Sequence, residues 1–441
     1  MTWPTGRAAV LDFEAEADRR LSPDVRAAPG TYPVPAGRGQ WRLTLHSRDF
    51  TANQTPYQTT IGALPDAINR KLIRQWNQPS QLDFTIDGRS AQAALLAELQ
   101  QDVMAWRWDD TAGVDRPLFR GVVSQTQDVL TADSHLINVT AHDYAGMFAR
   151  RFLTNPATYT NADLDDIVAD ILNKANNVVT TSGTSMSPGS SMPLTIQMAN
   201  PDGTTRSAKT GTLYTNTYNA STGLTDIVNE LSKLPNGFDF DVLPTGLNGT
   251  ADALRIFAPY QGVQRSDLAL VYGSSITALT RSVDSSTYGN YWRVIGNAQS
   301  TSPGTTQLVA ETWNTDSNNV STRPIGLWMS ADNAPSLTTA AALTAQANGD
   351  LALYGTLIPT YQLTLTPGFY YYGGPYMGDV VPLVIRSGRL NVNTNVRVLG
   401  ITYNIGDDGE EDVDLTVGQP GRTLVQMIQQ SQSDVNALAR R

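Results

Sequence analysis

Cysteine is absent from this chain of 441 residues, and histidine and lysine are both scarce. Without thiols the chain can form no disulfide, and it offers neither a thiolate metal ligand nor a cysteine nucleophile. The three histidines are His46, His135 and His142, and none stands in an HExxH or comparable ligand spacing. Their positions in predicted strands and turns favour structural roles, so we predict neither a metal site nor a cofactor.

Long apolar runs and an excess of positive charge are missing as well. No apolar stretch approaches the length that crosses a bilayer, and Met1 to Pro4 lacks the basic and then apolar layout of a signal peptide. We therefore expect no membrane span, and synthesis in the cytoplasm without export by the usual route. The formal net charge of −10 disfavours sequence-independent binding to nucleic acid phosphates or to an anionic membrane.

What is present is a globular composition, with 40% hydrophobic and 16% charged residues. A chain of this length should divide into about two to four domains. Changes of pattern place the divisions as follows: an N-terminal extended arm at 1–39, a first β-rich section at 40–153, an inserted α+β domain at 154–266, a second β-rich section at 267–419 and a C-terminal helix at 420–441. The fold class is therefore mainly β, with an α+β insertion.

Alternation of apolar and polar residues predicts half-buried strands in the first β-rich section. The predicted strands are 41–45, 82–86, 104–108, 118–123 and 137–144. The segment Leu64 to Trp76 fits either a strand or a short helix. Ser90 to Leu99 is rich in Ala and Leu and predicts a short helix.

The inserted domain is predicted from two amphipathic helical faces. Their residues are Leu164, Ile167, Val168, Ile171 and Leu172 in the first helix, and Leu224, Ile227, Val228, Leu231 and Leu234 in the second. Thr160 with Asp163 resembles a capping box at the start of the first helix. A loop is predicted at Thr180 to Pro193, and Phe238 to Val242 is expected to pair with Leu254 to Phe257 as a hairpin.

A second set of strands is predicted from Tyr376 to Gly418. Its turns are Ser387-Gly388 and Asp407-Asp408-Gly409, and alternating residues around an Asp-Gly turn are a strong hairpin signal. Residues 398–402 and 414–416 echo 119–123 and 138–140 at similar spacing, which favours two copies of one β-unit over a chance match. If the echo is real, Gly378 to Gly418 and Leu118 to Tyr144 should superpose.

The remaining segments leave alternatives open. Ser336 to Leu353 is Ala-rich and predicts a helix. The arm at 1–39 is either a partner surface or a disordered tail. The helix at 420–441 has heptad spacing over Leu424, Ile428, Ser431, Val435 and Leu438, so it either self-associates or docks on its own chain.

Chemistry-bearing clusters favour structural interpretations. His142 and Asp143 could form a catalytic pair with a remote serine, but no GxSxG motif occurs. The acidic residues at 407–412 lack the ligand spacing of an EF-hand loop, so a solvated turn is the better interpretation. The aromatic runs 106–108 and 370–372 could stack sugars, although core or interface packing is commoner in strands. We predict no catalytic residues.

Taken together, the chain resembles the baseplate hub proteins of long-tailed bacteriophages, in particular the minor tail proteins of siphophages that infect actinobacteria. The residues that carry the resemblance are Leu118 to Gly121 with Thr140 to Tyr144, Phe238 to Phe240 after the paired helices, Arg293 to Asn297, and Gly378 to Gly418. It covers most of the chain after Gln40, and its specificity lies in order and spacing because no single motif is diagnostic.

The resemblance implies two tube-type β-barrel domains per chain and a homotrimer whose six similar units match a hexameric tail tube. It implies a place in the virion tail tip. Expected partners are a distal tail protein ring, the tape-measure protein C-terminus and tail fibre or receptor-binding proteins, with no sequence-specific nucleic acid binding. Several relatives carry a peptidoglycan hydrolase after the hub. This sequence ends in a predicted helix just past Gly418, so we expect no enzymatic activity.

Two other functions remain as alternatives. One is a cell-wall or polysaccharide hydrolase with a carboxylate pair that the sequence does not locate. The other, an outer-membrane barrel, is disfavoured by the missing signal peptide and the two amphipathic helices.

Overall fold

The computed structural model describes residues 41–47, 60–109, 111–177, 194–234, 236–244, 252–286, 288–301, 304–314, 326–333, 340–355, 357, 359–370, 374–406 and 411–418. Predictions for the arm at 1–39, the loop at 180–193 and the helix at 420–441 fall outside these residues. The described part is dominated by strands, and the prediction of a mainly β fold is confirmed.

The strands of the described residues are β1 (Trp41–Ser47), β2 (Thr60–Ala63), β3 (Ile68–Gln75), β4 (Gln81–Asp87), β5 (Gln101–Asp109), β6 (Val114–Leu130), β7 (His135–Asp143), β8 (Ala157–Asp163), β9 (Leu194–Ala199), β10 (Leu213–Tyr218), β11 (Asp239–Leu243), β12 (Asp252–Phe257), β13 (Leu270–Val271), β14 (Ile276–Val283), β15 (Tyr291–Thr301), β16 (Gly304–Trp313), β17 (Met329–Asn333), β18 (Pro359–Leu365), β19 (Val380–Ser387), β20 (Leu390–Ile405) and β21 (Glu411–Gly418). The α-helices are α1 (Leu164–Asn176), α2 (Leu224–Lys233) and α3 (Ala340–Tyr354). None of these helices is both long and apolar enough to cross a membrane.

The chain forms two compact units. The first comprises Met1–Leu279 with Gln362–Val417, and the second comprises Thr280–Tyr361 with Gly418–Arg441. The Thr280–Tyr361 part of the second unit falls within the span that the sequence assigns to the second β-rich section, and no pattern in the sequence predicted this subdivision. The predicted domain boundaries stay predictions.

A sheet of 13 strands forms the frame of the first unit, in the order β14-β18-β21-β20-β3-β4-β7-β6-β5-β1-β2, with β19 on β20 and β13 on β19. The pairing of β3 with β20 is antiparallel, from Gly400 opposite Gln75 to Ile405 opposite Arg70. It joins strands from the two β-rich sections, which are far apart in sequence, into one hydrogen-bonded sheet. The predicted superposition of the two sections as separate barrels stays a prediction.

Period-two alternation correctly identified several core strands. Leu43 and Leu45 of β1 are fully buried, as are Leu82 and Phe84 of β4. The ambiguous segment at 64–76 contains a strand, β3. In β5 every residue is buried except Gln101 and Trp108, which are half-buried, so a single apolar face was too simple a description.

Two local predictions were wrong. Only Ala93–Leu95 of the predicted helix at 90–99 is helical, as one 3-10 turn, and Leu96 is already extended. The Ala97 amide donates to Gln101 Oε1 at 2.6 Å and the Leu99 amide donates to the Val123 carbonyl at 2.8 Å, so neither makes the bond to the carbonyl four residues earlier that a continuing helix needs. The capping box is also absent, because Thr160 lies in β8 and the Asp163 carboxylate accepts hydrogen bonds from Thr210 and, at 2.9 Å, from the Gly211 amide.

The inserted segment packs around an apolar core, built as the helical periodicity predicted, and Val122, Tyr144 and Phe148 of the first β-rich section belong to the same core. The inward faces of α1 and α2 are buried with Tyr218 of β10 and with Phe238 and Phe240 near β11. Strands β11 and β12 pair antiparallel, with Phe240 opposite Ile256, which confirms the predicted hairpin. Strand β9 adds parallel to β12 and completes a three-stranded sheet.

Of the two hairpin turns predicted between Tyr376 and Gly418, only the first lies within the described residues. Ser387 pairs with Leu390 across a two-residue loop, and Gly388 has a φ of 55°, a backbone angle that glycine adopts without steric cost. The Ser387-Gly388 turn is therefore confirmed. Strands β20 and β21 are neighbours in the sheet, but the Asp407-Asp408-Gly409 turn lies outside the described residues.

The second unit is a three-stranded sheet in the order β16-β15-β17 with α3 on one face. Its core cluster contains Val294, Leu343 and Ala347, with Leu308 and Ala310 packed against it. Trp292 stacks on Tyr354 of α3 at a centroid distance of 5.1 Å. The helix predicted at 336–353 is thus confirmed as α3, which spans Ala340–Tyr354.

Candidate functional site

His46 and His135 occupy structural positions. The His46 ring is buried in the sheet, with Nε2 at 2.8 Å from Thr44 Oγ1. Burial and the nearby charges of Arg120 and Arg42 lower the pKa of His46 to about 3, so the ring is neutral at physiological pH. His135 Nε2 lies 2.7 Å from Asp128 Oδ1 on an exposed hairpin.

His142 and Asp143 are adjacent in sequence but do not act on each other. The Asp143 carboxylate accepts hydrogen bonds from the amides of Ser80 at 2.8 Å and Ala145 at 3.0 Å, which caps a 3-10 turn. Burial raises the pKa of Asp143 to about 7.

The neighbour of His142 Nδ1 is Ser124 Oγ at 2.9 Å, and that hydroxyl also donates to the Thr140 carbonyl at 3.0 Å. Local sequence patterns do not predict this contact, because the register of β6 against β7 creates it. The serine proton is held by a backbone carbonyl, so the group lacks the geometry of an activated nucleophile.

The other predicted clusters are described only in part, and several of their described members are buried. Glu411, at the edge of the acidic run, is buried and accepts from Arg107 at 2.5 Å and from Trp41 Nε1 at 2.7 Å. Asp407, Asp408 and Glu410 are outside the described residues. Within the described part of the chain, no group of three or more acidic or histidine side chains could hold a metal.

The aromatic runs also contribute to packing. Trp106 Nε1 donates to Thr44 Oγ1 at 2.8 Å in the interior, and Tyr370 hydroxyl lies 2.7 Å from that of Tyr403. Tyr371 and Tyr372 are outside the described residues. Interior packing, the commoner role for aromatics in strands, therefore accounts for Trp106 and Tyr370.

Buried ion pairs attach the inserted segment to the large sheet. We call this set the ionic seam, and its members are Arg74, Arg120 and Arg397 from the large sheet with Asp239, Asp241, Asp252 and Arg255 from β11 and β12. Across it, Arg120 lies 2.9 Å from Asp252, Arg397 lies 2.8 Å from Asp239, and Arg74 lies 3.8 Å from Asp241. Sequence patterns did not predict these contacts, which join charged residues more than 100 positions apart.

The Arg397–Asp239 pair of the ionic seam makes further hydrogen bonds. Arg397 also donates to the carbonyls of Gln261 at 2.6 Å and Gly378 at 3.1 Å. Asp239 accepts from the Gln261 amide at 2.7 Å. Because buried charges are tolerated when they are paired and satisfied, the seam fixes the position of the inserted segment on the sheet.

Two hairpins of the large sheet extend into solvent. In the β6–β7 hairpin, residues 127–133 are exposed, and β7 pairs with Gln125–Leu130 along one edge only. Among the described strands, none pairs with the other edge of this segment. In the β19–β20 hairpin, residues 386–389 are exposed. Unpaired strand edges of this kind are ready to add another strand.

The exposed ends of the two hairpins carry opposite charge. The β6–β7 end holds Asp128 and Asp133, with Asp87 and Arg89 from the neighbouring turn. The β19–β20 end holds Arg386 and Arg389, and residues 380–397 contain no acidic side chain. The two hairpins are therefore complementary in sign.

Comparison with known proteins gives likeness in structure only. No family model matches the sequence, and no curated protein matches it. Among solved structures, the 43 kDa tail protein of prophage MuSo2 from Shewanella oneidensis has a TM-score of 0.53 at 12% identity, covering 87% of this chain and 99% of that chain. The tail protein from Neisseria meningitidis MC58 has a TM-score of 0.52 at 11% identity, covering 88% and 98%. The chain thus shares the fold of these two tail proteins along most of its length.

Proposed function

We propose that this chain is a structural component of a bacteriophage tail tip, a baseplate hub that assembles as a homotrimer. Its three copies form a ring of six similar units that caps or extends the tail tube and surrounds the DNA path. The fold shared with two tail proteins, one of them from a prophage, over nearly their whole length supports a tail role. The siphophage and actinobacterial assignment rests on the sequence resemblance.

The observation that carries the ring is the pair of hairpins. One has an acidic end and a strand edge that no described strand pairs with, and the other has a basic end. In a closed ring each copy presents one kind of hairpin to the other kind on its neighbour, which satisfies both the edge and the charges. A net charge of −10 is also suited to a channel through which DNA passes without being held.

In the virion this hub contacts a distal tail protein ring, the C-terminus of the tape-measure protein and tail fibre or receptor-binding proteins. It has no catalytic role of its own, and its domains follow the divisions at residues 39, 153, 266 and 419. The partner assignments follow from the hub interpretation, and they fail if the purified chain does not form a ring.

Light scattering on the purified chain tests the proposal. We expect a particle of three times the chain mass of 47.7 kDa, and ring-shaped particles in electron micrographs. A mass of one chain at all concentrations, with no rings, would contradict it.

Charge reversal tests the hairpin contact within the same assay. Asp128→Arg and Arg386→Asp should each weaken the trimer several-fold, because each places like charges at three contacts, and the double variant should recover part of the loss. Asp66→Arg, at an exposed acidic residue outside both hairpins, is the matched control. Equal effects of Asp66→Arg and Asp128→Arg would refute this contact.

A further inference from the structure

The sheet of the second unit has one covered face and one open face. Along β15, Trp292 and Val294 point toward α3 and are buried, whereas Arg293 between them is exposed. Strands β16 and β17 alternate in the same way. Among the described residues, nothing buries the face opposite α3, where Val309, Glu311 and Trp313 of β16 are all exposed.

Three large side chains form a row across this open face. Tyr291 stands opposite Trp313 on one side and opposite Met329 on the other, so the three follow one another across the strands. Trp313 is 52% exposed and Met329 is 60% exposed. The rings of Tyr291 and Trp313 are nearly parallel, at an interplanar angle of 13° and a centroid distance of 6.2 Å.

The next row on the same face is polar. Arg293 lies opposite Glu311, with Nε at 3.6 Å from Oε1, and on the other side it lies opposite Ala331. Burial is the largest cause of a raised pKa of Tyr291, and a hydrogen bond to Glu311 is the second. The two aromatic rings are therefore bordered by a guanidinium and a carboxylate, next to the small side chain of Ala331.

The backbone next to this surface is held in place. The Asn290 side chain is fully buried, donates to the Gly326 carbonyl at 2.8 Å and accepts from the Trp328 amide at 2.8 Å. It fixes the segment that carries the exposed Leu327 and Trp328 beside Met329. A surface fixed in this way binds without the entropic cost of ordering a loop.

Area and charge restrict what could bind there. The exposed parts of Trp313, Trp328, Leu327 and Met329 amount to an apolar surface on the order of 400 Å², taking roughly 150–250 Å² for a large side chain. A stable protein interface needs about 800 Å² per partner, so a second copy seated on this face alone would be held too weakly. The carboxylate of Glu311 and the net charge of −10 disfavour nucleic acid and acidic ligands.

We propose that the open face of β15, β16 and β17 binds a neutral oligosaccharide. One sugar ring stacks its C–H face on Trp313 and Tyr291, and its hydroxyls hydrogen bond to Arg293 and Glu311. The faces of the aromatic rings carry partial negative charge, which attracts the C–H groups of a sugar. Arg293 supplies hydrogen-bond donors and Glu311 supplies acceptors in the neighbouring row. This site goes beyond the structural role of the chain and does not depend on trimer formation.

The test uses the full chain and two neutral probes, a β-1,4-linked hexamer of N-acetylglucosamine and one of glucose. Binding is followed by tryptophan fluorescence and by calorimetry, with a single-stranded DNA oligomer as the anionic comparison. We expect saturable binding of at least one sugar hexamer, and a loss of about tenfold or more in Trp313→Ala, by analogy with the stacking of bases on aromatic residues. Glu311→Gln should also weaken binding.

Tyr272→Ala removes an aromatic ring of comparable exposure from the first unit and should leave sugar binding unchanged. Light scattering on Trp313→Ala distinguishes the competing occupant. A variant that loses assembly but not sugar binding would assign the face to protein contact and overturn the proposal. Absence of binding up to millimolar sugar, binding that survives Trp313→Ala, or preference for the DNA oligomer would overturn it as well. Circular dichroism of each variant confirms the folded state.

Discussion

Asp239→Asn is predicted to destabilise the first unit strongly, although it changes one atom. The Asp239 carboxylate is 1% exposed and lies 2.8 Å from Arg397, whose side chain is 5% exposed. The substitution removes the negative charge, and the new amide group can turn a donor toward a guanidinium that has no acceptor capacity. Arg397 would then remain buried with its positive charge uncompensated.

The expected loss of unfolding free energy depends on the contacts that Arg397 retains in the variant. Removing one partner of a buried pair costs about 3–5 kcal/mol. Arg397 retains its hydrogen bonds to the carbonyls of Gln261 and Gly378, and its guanidinium lies 4.2 Å from the centre of the Trp76 ring. We therefore expect the lower end, about 3 kcal/mol. The double variant Asp239→Leu with Arg397→Leu should lose less than Asp239→Asn alone, because neither charge is then left unpaired.

Urea unfolding followed by fluorescence, at one fixed protein concentration, measures the change in the free energy of unfolding. Asp267→Asn is the matched control, because Asp267 pairs with Arg265 at 2.8 Å but is 59% exposed. Such a pair contributes about 1 kcal/mol or less. If Asp239→Asn costs no more than Asp267→Asn, the argument that burial makes the ionic seam sensitive is refuted.

Two further predictions concern His46 and Gly262. His46 should stay neutral at pH 5 in NMR titrations. Because its folded pKa lies below the unfolded value, the stability that the neutral ring contributes is present above about pH 6.5 and is lost as pH falls toward 3. A folded-state titration midpoint near 6.5 would contradict this prediction. Gly262→Ala should prevent soluble folding or cost more than about 3 kcal/mol, because its φ is 93° and a Cβ would lie 1.9 Å from the Gly378 carbonyl carbon. At Gly113 φ is also positive, but no atom lies within 4 Å of the position of an added Cβ. Gly113→Ala should therefore lower the free energy of unfolding, measured by thermal or urea unfolding, by only about 1 kcal/mol. Equal losses at Gly262 and Gly113 would contradict the steric argument.

The sequence predicted elements whose pattern is local. The helical faces of α1 and α2 and the alternation in β1 and β4 were sufficient, because one periodic face per element meets the core. The prediction of a helix at Ser90 to Leu99 failed because the preference of Ala and Leu for helix was outweighed by hydrogen bonds from the Ala97 and Leu99 amides to Gln101 and Val123.

Hydrophobic periodicity does not predict contacts between residues that are far apart in sequence. No local pattern shows that Arg397 faces Asp239 or that Arg107 faces Glu411, because strand register and the placement of the inserted segment decide those contacts. The open aromatic face was missed for a related reason. Tyr291, Trp313 and Met329 are ordinary strand residues in sequence, and only the order of β16, β15 and β17 places them in one row.

The pairing of β3 with β20 has a consequence for how the chain is made. Arg70 donates a hydrogen bond to the Gly406 carbonyl, 336 residues later. At about 5–20 residues per second, β3 would leave the ribosome roughly 15 to 70 seconds before its partner exists. During that interval one edge of β3 is open, so other nascent copies could pair with it. We expect the yield of soluble protein to depend on translation rate and on chaperones more strongly than the stability of the finished protein would indicate.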